Sequence, residues 1–452
     1  MGGSKWAGMA FTGAVVVLLA LLFSSPAVAS PLHTSPESNF ETFLTFIPLV
    51  AKNHTPTETL HPNDPYYPNQ WAIQKANMLA AWNHSHGDQI LIATLDTGVD
   101  FEHADLVSKL RGDIDWDFVN DDDNAQDDYG HGTHVAGIAA ATTNNGQGVV
   151  GVGWGADILP LKVLNNKGNG SITNIIMALY YATDHGARII NMSLSTGPEY
   201  NLQCSQVPAL EEALEYAYQH GVLTVVSAGN HSTDASKVIP ANCPYVITVA
   251  ATDAQDAIAA FSNYGSVIDI AAPGKSIYST DLGNHYSVKS GTSMAAPFVS
   301  GVASLVWAAQ PTYTVTQVAA ALIHQTIDLG NQGWDPIFGY GRVDAAQAVW
   351  LGTLPGQSGG EEALLPRPTL TQMSLSQPDP HSYVPQHLLV RFTTEQVATT
   401  FMARHQIAEA RPLGNGLHLL SVAEGAEWET AQQLLASGAV TYAQPDFVVS
   451  VH

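Results

Sequence analysis

Basic residues are scarce in this chain. Sixteen lysines and arginines stand against forty aspartates and glutamates in 452 residues, for a formal net charge of −24. That imbalance argues against nucleic acid or an anionic membrane as a partner. It favours a soluble, self-repelling surface and is compatible with divalent cations. Cysteine is nearly missing too. Cys204 and Cys243 are the only two, which permits one disulfide in an exported protein, or else two buried thiols. Long apolar runs are confined to the N-terminus, and no later segment reads as long and apolar enough to span a bilayer.

The start of the chain carries Lys5, an apolar run over residues 10–23, and Ala27 and Ala29 spaced as in an A-x-A cleavage site. This pattern predicts a signal peptide over 1–29 and a secreted, extracellular mature protein. An anchor is disfavoured because the run falls short of the roughly 20 apolar residues a span needs. Residues 30–58, with many Ser, Thr, Pro and His, read as an N-terminal extension or linker. Hydrophobic residues make up 45% of the chain, enough for a large core, and the length suggests two to three domains.

From 59 to 353 the pattern changes. Continuous apolar runs at 90–95, 158–163, 188–192, 222–226 and 246–250 alternate with helical stretches at 134–141, 172–185, 208–220 and 293–309. Runs without polar alternation suit strands of a parallel sheet covered on both faces. The expected fold class is α/β, a doubly wound parallel sheet. Residues 354–383, with Gly-Gln-Ser-Gly-Gly and several prolines, read as a linker. Residues 384–452 read as a small α+β unit, with strands at 388–392, 417–422 and 447–451 and helices at 394–405 and 427–437.

In such sheets, sites collect at the carboxyl ends of strands. Asp96 and Asn230 each follow a strand, and His131 and Ser293 each open a helix. A carboxylate, an imidazole and a hydroxyl therefore converge on one edge. A serine hydroxyl is a poor nucleophile without a base to take its proton and an acid to orient that base. The chain order acid, base, nucleophile is that of subtilisin and differs from chymotrypsin and the α/β-hydrolases. Each residue also has a plainer reading. Ser293 is equally an N-cap, and Asn230 an αL turn residue. His131 and His134 lack the i, i+4 spacing and the Glu of a zinc protease. Asp96, ending an apolar strand, needs a partner. His131 is the natural one, while Asp100, further into the loop, competes but reads as solvated.

The runs Asp-Thr-Gly-Val-Asp at 96–100, Gly-His-Gly-Thr-His-Val-Ala-Gly at 130–137, Ala-Gly-Asn at 228–230 and Gly-Thr-Ser-Met-Ala-Ala-Pro at 291–297 resemble the signature blocks of the subtilisin-like serine proteases. The resemblance covers roughly residues 62–350. Pro-Asn-Asp-Pro-Tyr at 62–66 and the acidic loop before His131 resemble the thermitase-like members. What this implies is a calcium-stabilised serine endopeptidase, a monomer acting on protein and peptide substrates. Asp96 would orient His131, His131 would be general base and acid, Ser293 the nucleophile, and Asn230 an oxyanion donor. An inactive shell used for binding and an esterase are the alternative readings.

The resemblance also implies a cleft. Gly168 and Gly170 on one side, and Ser193, Leu194 and Ser195 on the other, would pair with an extended peptide. Ile172 and Ile175 would line a side-chain pocket or else be plain helix core. One calcium site would use the side chains of Asp64, Asp105 and Asn145 with the carbonyls of Thr143, Gln147 and Val149. A second would use Asp117, Asn120, Asp122, Asn124 and Gln126, with Asn120 and Asn124 departing from the family pattern. Cys204, shortly after the 193–195 edge, and Cys243 would form a disulfide. Finally, Val-Pro-Gln-His-Leu-Leu-Val-Arg-Phe at 384–392 and Tyr-Ala-Gln-Pro-Asp-Phe at 442–447 resemble the family's propeptide, which usually precedes the enzyme. Residues 384–452 would then be a ferredoxin-like unit that docks as an intramolecular inhibitor and folding aid, with Val451 and His452 in the cleft. An unrelated binding module is the alternative.

Overall fold

Strands form at the continuous apolar runs because each is buried on both faces. The computed structural model describes residues 61–351 and 382–451, except 406, 408, 409 and 415. The expected signal peptide, the 30–58 extension, nearly all of the expected linker and His452 lie outside the described residues. The central strands are β1 (Leu91–Asp96), β2 (Trp116–Asp117), β3 (Asp157–Lys162), β5 (Ile189–Met192), β6 (Leu223–Ser227), β7 (Val246–Thr252) and β8 (Ile270–Pro273). A short strand, β4 (Asn169–Ser171), and a hairpin, β9 (Ile277–Asp281) with β10 (His285–Lys289), stand outside this sheet. With β11 (Thr326–Ile327) and β12 (Arg342–Val343), the sheet has nine strands in the order β11-β12-β8-β7-β6-β5-β1-β3-β2. Every neighbouring pair is parallel except β11 with β12.

Two apolar layers cover this sheet. Ile92, Ile158, Ile189 and Val225 face one layer, which holds α3 (His131–Ala140) and α6 (Thr292–Ala309). Ala93, Leu95, Leu159, Ile190 and Val226 face the other, which holds α4 (Ile172–Asp184) and α5 (Pro208–Gln219). Alternate residues of one strand thus enter different cores, the physical reason the runs carry no polar alternation. Shorter helices complete the first layer: α1 (Trp71–Lys75), α2 (Met78–Trp82), α7 (Val315–His324) and α8 (Ala345–Leu351). One expectation needs correcting. By length and composition α6 is apolar enough to cross a membrane, but 89% of it is buried within the protein. It is a core helix. The two-residue strands and the half-exposed hairpin were not anticipated, since such short segments carry no readable period.

The C-terminal segment contains β13 (Tyr383–Phe392), α9 (Glu395–His405), β14 (Ala410–Gly414), β15 (Leu417–Ser421), α10 (Glu427–Ser437) and β16 (Val440–Ser450). The final strand is longer than the expected 447–451. Its antiparallel sheet runs β14-β15-β13-β16 and continues into β4, so one strand order spans both parts of the chain. One face, with Leu388, Val390 and Leu420, packs on the segment's own helical residues Ala431 and Leu434. The other face, with Leu389, Leu417, Phe447 and Val449, joins the core that contains α4 and α5. Each such fully buried side chain contributes about 1.5–3 kcal/mol relative to exposure.

Cys204 and Cys243 form a disulfide, with Cα atoms 4.9 Å apart and a sequence separation of 39. It ties the segment after the 193–195 edge to the loop before β7. Replacing both cysteines by alanine should lower stability by about 4 kcal/mol in the chain-entropy picture. Thermal unfolding of the double variant checks this, and an unchanged melting temperature would show that the bridge restrains nothing.

Candidate active site

Strand β1 ends on Asp96, which is fully buried. Helix α3 begins at His131 and its first turn presses against that strand end. Gly132 makes this approach possible, because a Cβ there would lie 2.1 Å from the Gly98 carbonyl and 3.1 Å from the Asp96 Cβ. The imidazole Nδ1 of His131 consequently sits 2.7 Å from Asp96 Oδ1. The same carboxylate oxygen accepts the Thr97 N–H at 2.7 Å. His131 Nε2 is buried without a hydrogen-bond partner among the described residues. Asp100, expected to be solvated, is instead buried, and its carboxylate accepts the Glu102 and Gly283 N–H groups. It organises the loop and does not meet His131. His134 Nε2 lies 3.2 Å from the Ser287 carbonyl. Burial, with the nearby Lys289 and His131 charges adding, pushes its pKa down to about 3, so it stays neutral at ordinary pH.

Ser293 is the second residue of α6. Four residues on, Pro297 lies inside the helix and has no N–H to offer the Ser293 carbonyl. The Ser193 hydroxyl donates to that carbonyl instead, at 2.9 Å. Ser193 Oγ in turn accepts from Asn191 Nδ2 at 3.0 Å, and Asn191 Oδ1 accepts from the Ser300 hydroxyl at 2.9 Å. A buried polar chain therefore runs from α6 through β5 back to the residue carrying the hydroxyl. The Ser293 hydroxyl itself donates to the Ser193 carbonyl at 3.2 Å. Asn230 Oδ1 accepts from the Thr292 N–H and hydroxyl at 2.8 and 2.9 Å. A point built as a Cβ on Gly291 would lie 3.2 Å from Asn230 Nδ2 and 3.5 Å from Ser293 N. Two nitrogen donors thus flank one spot at the start of α6.

The two expected cleft edges hold a strand from the chain's own C-terminal segment. Val448, Val449 and Ser450 of β16 pair with Ser171, Gly170 and Asn169 of β4. Opposite them, Ser195 and Ser450 exchange both backbone hydrogen bonds at 3.0 Å, and the Val451 N–H donates to the Gly168 carbonyl at 3.0 Å. Leu194, Ile172 and Ile175 are buried in the same apolar cluster as Val449. Asp446, fully buried, accepts the Thr173 N–H at 3.0 Å and so satisfies an open donor at the start of α4.

Of the expected cation ligands, Asp64, Asp105 and Asn145 come together. Asp64 accepts the backbone N–H groups of Asn144 and Asn145. Asp105 accepts from Asn145 Nδ2 at 2.7 Å, from the Val149 N–H at 2.9 Å and from the Tyr286 hydroxyl at 3.0 Å. Burial holds the Asp64 carboxyl above the ordinary range, and the Asp105 charge adds to the rise. Thr143 and Gln147 belong to the same loop, where Gln147 N–H donates to Asn145 Oδ1. The second group is less convergent. Asp117 is occupied by Val119 and Asn120 donors. Asp122 accepts from the Asn124 N–H, and Gln126 Oε1 turns to the Phe101 N–H. Arg411 reaches Asp121 of this loop at 2.7 Å. Among the described residues no three His, Cys, Asp or Glu side chains are arranged as a metal group. Sequence reasoning missed Asn191, Ser300, Thr97, Asp127 and Lys162. Asp127 was in view only within the acidic loop before His131, Thr97 only as part of the Asp-Thr-Gly run, and the others as strand or helix core.

The model of the subtilase family matches residues 87–341. The chain is 41% identical over 289 residues to thermitase of Thermoactinomyces vulgaris, spanning 64% of this chain and 99% of thermitase. It is also 41% identical over 291 residues to the thermophilic serine proteinase of Bacillus sp. (strain AK1), spanning 64% of this chain and 69% of that protein. Among solved structures, a protease of Pseudoalteromonas arctica aligns with a TM-score of 0.58 at 31% identity, covering 65% of this chain and 99% of that one. The chain belongs to the subtilase family and is a serine endopeptidase.

Proposed function

We propose that Ser293 attacks the peptide carbonyl while His131 Nε2 takes its proton and Asp96 holds the imidazole through Nδ1. An acyl-enzyme forms, the amine leaves with the proton returned by His131, and water reverses the sequence. Asn230 Nδ2 and Ser293 N donate to the oxyanion. The observation that carries this reading is the 2.7 Å contact between His131 and a fully buried Asp96, with Nε2 left without a partner among the described residues. Ser293→Ala should cut kcat on the order of 10⁶-fold and Asn230→Ala about 10²–10³-fold, both scales belonging to the family's archetype, subtilisin. Steady-state kinetics on a peptide anilide measure both, and near-native turnover in Ser293→Ala would end the proposal. Cleavage of casein separates an enzyme from an inactive shell, and kcat/KM on matched ester and peptide substrates separates a peptidase from an esterase.

Calcium fits the first cation group. Two buried carboxylates lie side by side with no basic side chain bonded to either among the described residues, and Asp64 is destabilised as an anion by that arrangement. Asp64, Asp105 and Asn145, with the carbonyls of Thr143, Gln147 and Val149, would hold the ion. Asp117, Asn120, Asp122, Asn124 and Gln126 remain the proposal for a second, weaker site. The ion would supply stability and take no part in the reaction. EDTA should lower the melting temperature, by an amount equivalent to about 2.7 kcal/mol if calcium is present at 100 times its Kd. Asp64→Ala should remove most of that calcium-dependent difference. An EDTA-insensitive melting curve would remove calcium from this account.

The C-terminal segment, read as ferredoxin-like from its β-α-β-β-α-β order, is proposed as an intramolecular inhibitor of a secreted, monomeric enzyme. Support comes from β16, which occupies both edges at which an extended substrate would pair. Ser450→Pro removes the N–H that donates to Ser195 and should raise full-chain turnover about ten-fold. The separate 384–452 fragment should inhibit the activated enzyme. Unchanged turnover together with a fragment that does not inhibit would leave the segment as an unrelated binding module.

A further inference from the structure

Resting on the reading of Asp96 and His131 given above, we propose that Asp127 is a positioning residue that locks the acid and the base of this enzyme into one geometry. Asp127 is buried. Its Oδ1 accepts the Thr97 hydroxyl at 2.8 Å, the Tyr129 N–H at 3.0 Å and the Gly130 N–H at 2.9 Å. Its Oδ2 accepts the Thr133 N–H at 2.9 Å and the Thr133 hydroxyl at 2.6 Å. Five neutral donors thus converge on one carboxylate. Every one of them lies within two residues of Asp96 or His131.

The two sides of this clamp meet at Thr97. Its hydroxyl donates to Asp127 and accepts the Gly132 N–H at 2.9 Å. Its own N–H donates to Asp96 Oδ1, the oxygen that faces His131. Its carbonyl accepts the ammonium of Lys162 at 2.7 Å, and that buried lysine also contacts Asp128 at 2.7 Å. Thr97 therefore has its N–H, hydroxyl and carbonyl all engaged, and it can shift only if α3 shifts with it. Helix α3 has no side-chain cap at Gly130 itself. The Asp127 carboxylate takes the Gly130 and Thr133 N–H groups at the start of the helix while gripping the strand end through Thr97. A plain helix cap would use the Gly130 and Thr133 donors alone. The Thr97 contact is the part that such a cap does not need, and it links the carboxylate of the acid to the backbone of the base. Losing the clamp frees the imidazole to rotate against Asp96, and misplacements of about 1 Å in a reacting constellation cost on the order of 10²-fold in rate.

The test uses the full chain and two readouts. One is the downfield proton resonance of His131 Nδ1–H, held against Asp96. The other is the rate at which a serine-directed fluorophosphonate labels Ser293. Asp127→Asn keeps the shape but turns an acceptor into a donor facing other donors. It should broaden or abolish the downfield proton and slow labelling about 10²-fold. Thr97→Val, which keeps the volume and should fold even if Asp127→Asn does not, should slow labelling about ten-fold. Thr97→Ser, which restores the hydroxyl, should recover most of that loss. Asp113→Asn, an exposed partner of Arg111 that makes no bond to this cluster, should behave as native. Melting curves fix an assay temperature at which every variant is folded. At that temperature, a native downfield proton and native labelling rate in both Asp127→Asn and Thr97→Val would overturn the proposal, whatever their melting temperatures. Native labelling in His131→Ala would instead overturn the base assignment, and this inference with it.

Discussion

The contact between a strand end and a helix N-terminus, at Asp96 and His131, is the constraint around which this molecule is arranged. A carboxylate with no exposed surface is costly unless it is partnered. Here the partners are an imidazole nitrogen and the Thr97 N–H, both at 2.7 Å. The approach demands glycine at 132, because any side chain there would collide with the Gly98 carbonyl. It also demands that β1 be central, flanked by β3 and β5, so that the loop beyond it is held from both sides. Lys162, paired in register with Asp96, closes the arrangement from the neighbouring strand.

Ser293, the proposed nucleophile, is held by a different device. Proline inside a helix normally costs about 3 kcal/mol because it leaves a carbonyl without its donor. In α6 that carbonyl belongs to Ser293, and the Ser193 hydroxyl takes the vacant place. The helix defect thereby becomes a link between Ser293 and the 193–195 segment. Asn191 and Ser300 complete the link inside the core. A network of this kind is stabilising only when each member is satisfied. In this one Asn191 bridges the two hydroxyls, accepting from Ser300 and donating to Ser193.

The C-terminal sheet joins the enzyme by the same rules that build an ordinary sheet. Its last strand continues through β4, its inner face shares a core with α4 and α5, and Asp446 serves the start of α4. The ion pairs at its margins, Arg391 with Glu212 and Arg411 with Asp121, lie where one or both groups are solvated. Pairs of that sort usually contribute 1 kcal/mol or less. Backbone pairing and apolar burial therefore dominate the docking.

Much of this was legible beforehand. Five uninterrupted apolar runs implied a parallel sheet with two covered faces, since a strand buried on both sides has no polar side to show. The Asp-Thr-Gly, His-Gly-Thr-His and Gly-Thr-Ser-Met-Ala runs pointed to the subtilase family, which the match over residues 87–341 shows. Asp100 was misread as solvated, because exposure depends on the distant Gly283 segment that folds over it. Asp127 looked like one more member of an acidic loop, and Asn191 and Ser300 like core positions. Their roles come from atoms brought together across separations of 30 to 109 residues. By itself, then, the sequence determined the layer architecture and the family, the first through local periodicity and the second through short runs of adjacent residues. Only the tertiary structure decided which carboxylate meets which imidazole, what replaces the donor that Pro297 lacks, and which segment pairs with Asn169–Ser171 and Ser195. Those outcomes depend on distance and direction between elements remote in sequence, which periodicity cannot encode.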